Sequence, residues 1–114
     1  MPCIETKLSV SLSEDKEKIL KTKFGEAISL LPGKSENFLM VSFEDNCHLY
    51  FKGQNTEPIA FVEVKIFGKS TNEAYEKLTA SLCDILNREI GISPTNIYVK
   101  YEEVSHWGWN SSNF

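Results

Sequence analysis

Pro2 is the residue of this sequence with the most unusual chemical potential. A small second residue favours removal of the initiator Met1, and removal would leave a secondary amine at the chain terminus. An α-amino group titrates at about 7.7–8.0 in model peptides, and burial or a nearby cation lowers that value further. Such a terminal proline would be neutral at physiological pH and could act as a general base, which a lysine rarely can. With Met1 retained, the same nitrogen is an amide without basicity. Read alone, Pro2 is better explained as the start of a strand, where a missing N–H does no harm.

Other residues could serve that amine. Lys34 follows the Pro32-Gly33 turn and could hold a carboxylate and lower a neighbouring amine's pKa, or simply face water. Lys100 sits between Val99 and Tyr101 in a strand-like segment, with the same two readings. His106-Trp107-Gly108-Trp109-Asn110 is dense in aromatics, and the sequence ends at Phe114. Such a stretch can wall an apolar pocket, form an oligomer contact or dock as a terminal strand.

Several chemistries have no support in the residues. His48 and His106 lie far apart with no Cys or carboxylate at metal-ligand spacing, so no metal is expected. Gly-rich phosphate loops, C-x-x-C pairs and recognisable Ser or Cys nucleophile contexts are absent, and no cofactor is implied. The net charge of −4, with both signs interleaved, argues against a nucleic-acid partner. Apolar runs of only a few residues argue against a membrane span. Three widely spaced cysteines make no disulfide framework and suit a reduced compartment. The start MPCIETKLSVSL lacks the basic and apolar regions of a signal peptide, so a cytosolic location is expected unless another route exports the protein. Asn110-Ser111-Ser112 matches a glycosylation acceptor by chance on that reading.

The elements that must position these groups fit one domain spanning residues 1–114. Ile19, Leu20, Phe24, Ala27, Ile28 and Leu31 form an apolar helical stripe, with Ser13 as N-cap and Pro32-Gly33 as the stop. Ala74, Leu78, Leu82, Ile85 and Leu86 form a second, with a Ser70-to-Glu73 capping box and Gly91 at the end. Strands are expected at 2–10, 37–43, 58–67 and 97–101, with a short one at 48–51. The order is two βαβ halves, each with parallel strands, joined in one sheet with both helices on one face. The other face, expected to carry Phe, Val and Ile, would be bare and would drive self-association.

Met1-Pro2-Cys3, the Gly33-Lys34 turn, Ile92-Ser93-Pro94 through Tyr98 and the ending Gly108-Trp109-Asn110-Ser111-Ser112-Asn113-Phe114 together resemble the macrophage migration inhibitory factor family. The resemblance runs from end to end. It implies an α+β fold of two βαβ units, with a four-stranded mixed sheet and two helices on one face, assembled as a trimeric barrel. It also implies keto–enol tautomerisation of phenylpyruvate-like acids or dopachrome-type compounds, with the site between subunits. Pro2 would be the base, Lys34 would bind the substrate's carboxylate or carbonyl, and Tyr98 of a neighbour would donate a hydrogen bond. Phe38, Phe67, Trp107, Trp109 and Phe114 would form apolar walls.

Departures accompany it. Lys100 stands where vertebrate members have Asn and would add a second cation. Phe38, Phe67 and Trp107 stand for Tyr, Ile and Val, making the pocket more aromatic. Ile59-Ala60-Phe61-Val62 replaces the vertebrate dithiol motif, so thiol oxidoreductase activity is not expected. Family members of animals and parasites also act as cytokines and leave cells without a signal peptide. A non-catalytic ligand for a cell-surface receptor is therefore the competing reading, and a ferredoxin-like binding domain is a third.

Overall fold

The computed structural model describes residues 1–114. In chain order it contains β1 (Pro2–Leu8), α1 (Glu14–Ala27), β2 (Met40–Glu44), β3 (Ala60–Phe67), α2 (Asn72–Ile90), β4 (Ile97–Val104), β5 (Gly108–Trp109) and β6 (Ser112–Asn113). Short 3-10 turns cover Ile28–Leu30, Glu36–Phe38 and Pro94–Asn96. The main sheet is four-stranded in the order β2-β1-β3-β4. β1 pairs parallel with β2, antiparallel with β3, and β3 pairs parallel with β4. This is the expected mixed sheet of two βαβ halves.

Local chemistry explains where the helices begin and end. Ser13 caps α1 by accepting the Lys16 amide at 3.2 Å, and Glu14, Asp15 and Glu17 sit where the helix dipole favours negative charge. The α-helix stops at Ala27, earlier than expected, and tightens into a 3-10 turn before the extended Leu31 that Pro32 requires. α2 is capped by Thr71, not Ser70: the Thr71 hydroxyl accepts the Ala74 amide at 3.1 Å. The Ser70 amide instead donates to the Tyr75 hydroxyl at 3.2 Å and to Glu103 at 3.4 Å, ties from β4 and α2 that a local pattern does not contain. Gly91 ends α2 with φ of 71°, the left-handed cap that glycine adopts without strain.

Strand bounds shift for similar reasons. Asn37 and Phe38 belong to a 3-10 turn, so the second strand begins only at Met40. β4 runs on to Val104 because β3 offers it partners through Phe67. No strand forms at 48–51; Phe51 makes a single bridge to Gln54 across a tight turn.

The core lies between sheet and helices. Ile4, Leu8, Val62, Val64 and Ile66 meet Leu20, Phe24, Ile28, Leu78, Leu82 and Leu86, all buried. Ile19 of the predicted first stripe is 37% exposed and Ile85 is half-buried, so each stripe is narrower than the pattern implied. Thr6 is the exception among the buried residues, with a hydroxyl that has no hydrogen-bond partner.

The uncovered face meets the expectation of Phe, Val and Ile only in part, through Phe61 and Phe67. Strand alternation sends Ala60, Val62, Val64 and Ile66 inward, leaving Phe61, Glu63, Lys65 and Phe67 on the other side. Glu5 pairs with Lys65 at 2.7 Å, and Lys100 lies 3.7 Å from Glu63 and 3.0 Å from Glu102. The open face is an ion-paired surface with a few aromatics, not an apolar one.

Candidate active site

Pro2 opens β1, an interior strand of the sheet, and is buried. Around it is a cavity of about 640 Å³ lined largely by apolar side chains, among them Met1, Cys3, Phe38, Met40, Trp107 and Trp109. Two segments outside the main sheet build its walls. The 3-10 turn Glu36–Phe38 carries Phe38 in from the end of the first crossover. The C-terminal segment folds on itself as the β5–β6 hairpin, with Trp109 opposite Ser112. Its two-residue loop, Asn110 (φ 51°) and Ser111 (φ 67°), has the left-handed backbone of a tight hairpin turn that asparagine tolerates well. The Phe114 amide donates to the Trp107 carbonyl at 3.0 Å and closes the unit.

The aromatic rings form one continuous chain. Phe38 meets Trp109 edge-on at 5.8 Å, Trp109 stacks on Phe114 at 6.4 Å, and Phe114 meets Phe67 at 5.5 Å. Phe38, Trp107 and Trp109 line the cavity, whereas Phe114 stacks on Trp109 and Phe67 packs on Phe114, both outside that lining. Offset and edge-on contacts of this kind add to the stability that burial alone supplies.

Lys34 reaches the same place. Gly33, with φ of 81°, turns the chain so that the Lys34 Nζ donates to the Phe67 carbonyl at 3.0 Å. Burial first, and then the Lys34 cation, hold the α-amino group of Met1 below its ordinary value. The Phe67 amide donates to the Met1 carbonyl at 3.0 Å. Both peptide groups of Phe67 thus face the chain start, a role that residue-type reasoning does not detect. Cys3 and Met40 were missed as well; they are directly paired across β1 and β2 and share the cavity.

Tyr98 and Lys100 are not brought together with Pro2 in this chain. Pro2 is level with Ile66, and Ile66 with Glu103. Tyr98 therefore lies five residues further along β4, roughly 16 Å away along the strand direction at about 3.3 Å per residue, and two strands across. It is 63% exposed, with its ring edge-on to Phe51 at 5.1 Å.

Other features offer less. A cavity of about 600 Å³ under the loop after β2, lined by residues such as Asn46, His48 and Glu57, is mostly polar. No three His, Cys, Asp or Glu side chains converge as metal ligands. No helix is long and apolar enough to cross a membrane.

Comparison with known proteins gives this arrangement its context. The macrophage migration inhibitory factor family profile matches residues 1–114. The chain belongs to that family. Macrophage migration inhibitory factor of Xenopus laevis is 27% identical over 84 residues, covering 72% of each chain. Leishmania major MIF2 superposes with a TM-score of 0.92 at 34% identity, covering 100% of this chain and 97% of that one. A homologue from Prochlorococcus marinus gives 0.87 at 32% identity, covering 98% of both chains. Membership in this family, part of the tautomerase superfamily, supports isomerase chemistry or a cytokine-like role in general terms.

Proposed function

We propose that this protein is a keto–enol tautomerase for phenylpyruvate-like acids or dopachrome-type compounds. In this reading it works as a homotrimer with the Pro2 nitrogen, freed of Met1, as the acid/base. The observation that carries the reading is the apolar cavity around Pro2, with Lys34 beside the chain-terminal amine. Burial and the lysine charge act in the same direction on any amine at that position, keeping it unprotonated and able to accept a proton.

The reaction needs no redox partner. Pro2 takes a proton from the carbon next to the substrate carbonyl, the C–H electrons form the C=C bond, the carbonyl π pair moves onto the oxygen, and that oxygen takes a proton from the protonated Pro2 or from water. Reversal restores the ketone. Lys34 has three donors and spends one on Phe67, leaving two for a carboxylate. Loss of Met1 also removes the acceptor of the Phe67 amide, so that donor becomes available beside the lysine. An anion placed there would be held by a charge and by a fixed dipole, the kind of preorganised contact on which such catalysis depends.

The trimer enters because the site lacks residues on one side. Tyr98 and Lys100 can serve a Pro2 cavity only if β4 of a neighbouring copy brings them, and their exposure on the open face is compatible with that. A secreted ligand acting on a cell-surface receptor is the reading that family membership also supports, and it does not require Pro2 chemistry. Phenylpyruvate tautomerisation by protein of confirmed N-terminal mass tests the proposal. Turnover by the Met1-free form should fall at least ~100-fold in Pro2→Gly, the usual scale for loss of a general base. An unchanged rate in that variant, or no turnover by a correctly processed trimer, refutes the enzymatic reading.

A further inference from the structure

We infer that Glu63 and Glu102 are specificity-determining residues that clamp Lys100 and close the site to keto acids carrying a second anionic group. The inference rests on the proposed trimeric tautomerase, in which Tyr98 and Lys100 of one copy face the cavity of the next. Taken as a residue type, Lys100 adds a cation at the far end of that cavity and should welcome a second carboxylate. Its surroundings reverse the expectation.

Lys100 Nζ sits 3.0 Å from Glu102 Oε1 and 3.7 Å from Glu63 Oε1. The Glu102 pair is within one strand, two residues apart on the same face, and the Glu63 pair is directly cross-strand. The register of β3 and β4 places the three side chains on one face within reach of one another. The lysine's charge is met by two carboxylates, giving the group a formal excess of one negative charge. The neighbouring cation Lys65, in register with Glu102 and held by Glu5 at 2.7 Å, joins the cluster without changing the balance: three carboxylates against two lysines leave the same single excess negative charge. Lys7, the remaining cation of the open face, is two strands from Tyr98 on the β2 side, paired in register with Glu44. Lys100 binds its proton more firmly and Glu102 more weakly than usual, each because of the other.

An incoming substrate therefore meets the two free donors of Lys34 at one end and a slightly negative group beside Tyr98 at the other. A monoanion with a neutral aromatic tail suits both ends. A dianion with a carboxylate on its ring is attracted by the first and repelled by the second.

The test compares phenylpyruvate with its para-carboxy analogue on Met1-free trimeric protein, reading the ratio of their kcat/KM values. The ratio should favour phenylpyruvate in the unaltered protein. Glu102→Gln, and more so Glu63→Gln with Glu102→Gln, should raise relative turnover of the dianion roughly five- to ten-fold, an effect that shrinks with added salt. Phenylpyruvate turnover, melting temperature and trimer size should stay unchanged. Adding Lys100→Met to the double variant should cancel the gain, because the freed lysine produces it. A ratio unmoved in the double variant overturns the inference. A gain that survives Lys100→Met also overturns it, since bulk charge would then be the cause. No turnover of either acid by the unaltered protein removes the tautomerase reading and this one with it, a result distinct from an active enzyme whose ratio does not move.

Discussion

On one side of the sheet Ile4, Val62, Val64 and Ile66 are sealed beneath two helices; on the other, one residue along the same strands, Glu5, Glu63, Lys65 and Lys100 pair with one another at the surface. Both sets have the same backbone, and strand periodicity alone separates them. The covered side removes apolar area from water, which is where most folding free energy originates. The open side consists of exposed ion pairs, which contribute little stability but fix charge in space. Apolar burial and fixed surface charge are thus assigned to opposite faces of four strands, and each assignment can be tested apart from the other.

The largest expected effect is on the covered side. Phe24 is buried and packs at 5.7 Å on Phe43. Phe24→Ala should cost about 3–5 kcal/mol by denaturant titration, and a loss below ~1 kcal/mol would break the assignment. The seam between α2 and β4 should show itself at alkaline pH. Burial, then the hydrogen bond to Glu103 at 2.8 Å, push the Tyr75 phenol up to about 12. A group raised in the folded state stabilises fully below its unfolded value, about 10, and loses that contribution as pH climbs through its folded value. Stability should therefore fall between pH 10 and about 12, and Tyr75→Phe should flatten that part of the profile.

Trp109 sharpens the contrast because it belongs to neither face. It is 55% exposed yet lines the cavity between Phe38 and Phe114. Trp109→Ala should leave the melting curve nearly unchanged while raising KM for an aromatic keto acid by about tenfold, through loss of one stacked wall. A collapse of the fold would instead make the hairpin part of the core. The smallest effects compare one polar residue from each side. Thr6→Val, which removes the unpartnered buried hydroxyl, should stabilise by about 1 kcal/mol. Glu5→Gln on the open side should change stability by well under ~1 kcal/mol, less still at high salt.

Local signals in the sequence were readable where one short segment decides the outcome. Ser13, the Pro32-Gly33 stop and Gly91 act within a turn or two of themselves, and the two βαβ halves follow from periodicity. Competition between distant segments was not readable. Ser70 and Thr71 both offer a hydroxyl, and Thr71 caps because Tyr75 and Glu103 claim the Ser70 amide. The segment 48–51 has strand-forming residues but no partner strand, only the single bridge from Phe51 to Gln54. Glu63 and Lys65 were visible in the alternation of β3, yet which side the helices cover is a property of the assembled sheet. Within the site, the family pattern pointed to Pro2 and Lys34. The peptide group of Phe67 has no signature, since any residue presents the same N–H and C=O there.

The position of β1 inside the sheet has a consequence for timing. The first strand to be synthesised has both of its partners still to come, and the Phe67 amide that takes the Met1 carbonyl arrives about 65 residues after Pro2. At roughly 5–20 residues per second, the start of the chain spends on the order of 3–13 s without its final neighbours. Trimming of the terminal methionine, on which the proposed base depends, falls naturally into that interval. Once β3 has paired, the carbonyl of the bond to be cut is taken by the Phe67 amide, and Pro2 on its other side is buried. If Pro2 is the base as proposed, the rate of chain growth and the speed of the trimming enzyme, and not only equilibrium stability, would govern what fraction of the molecules carries a working amine.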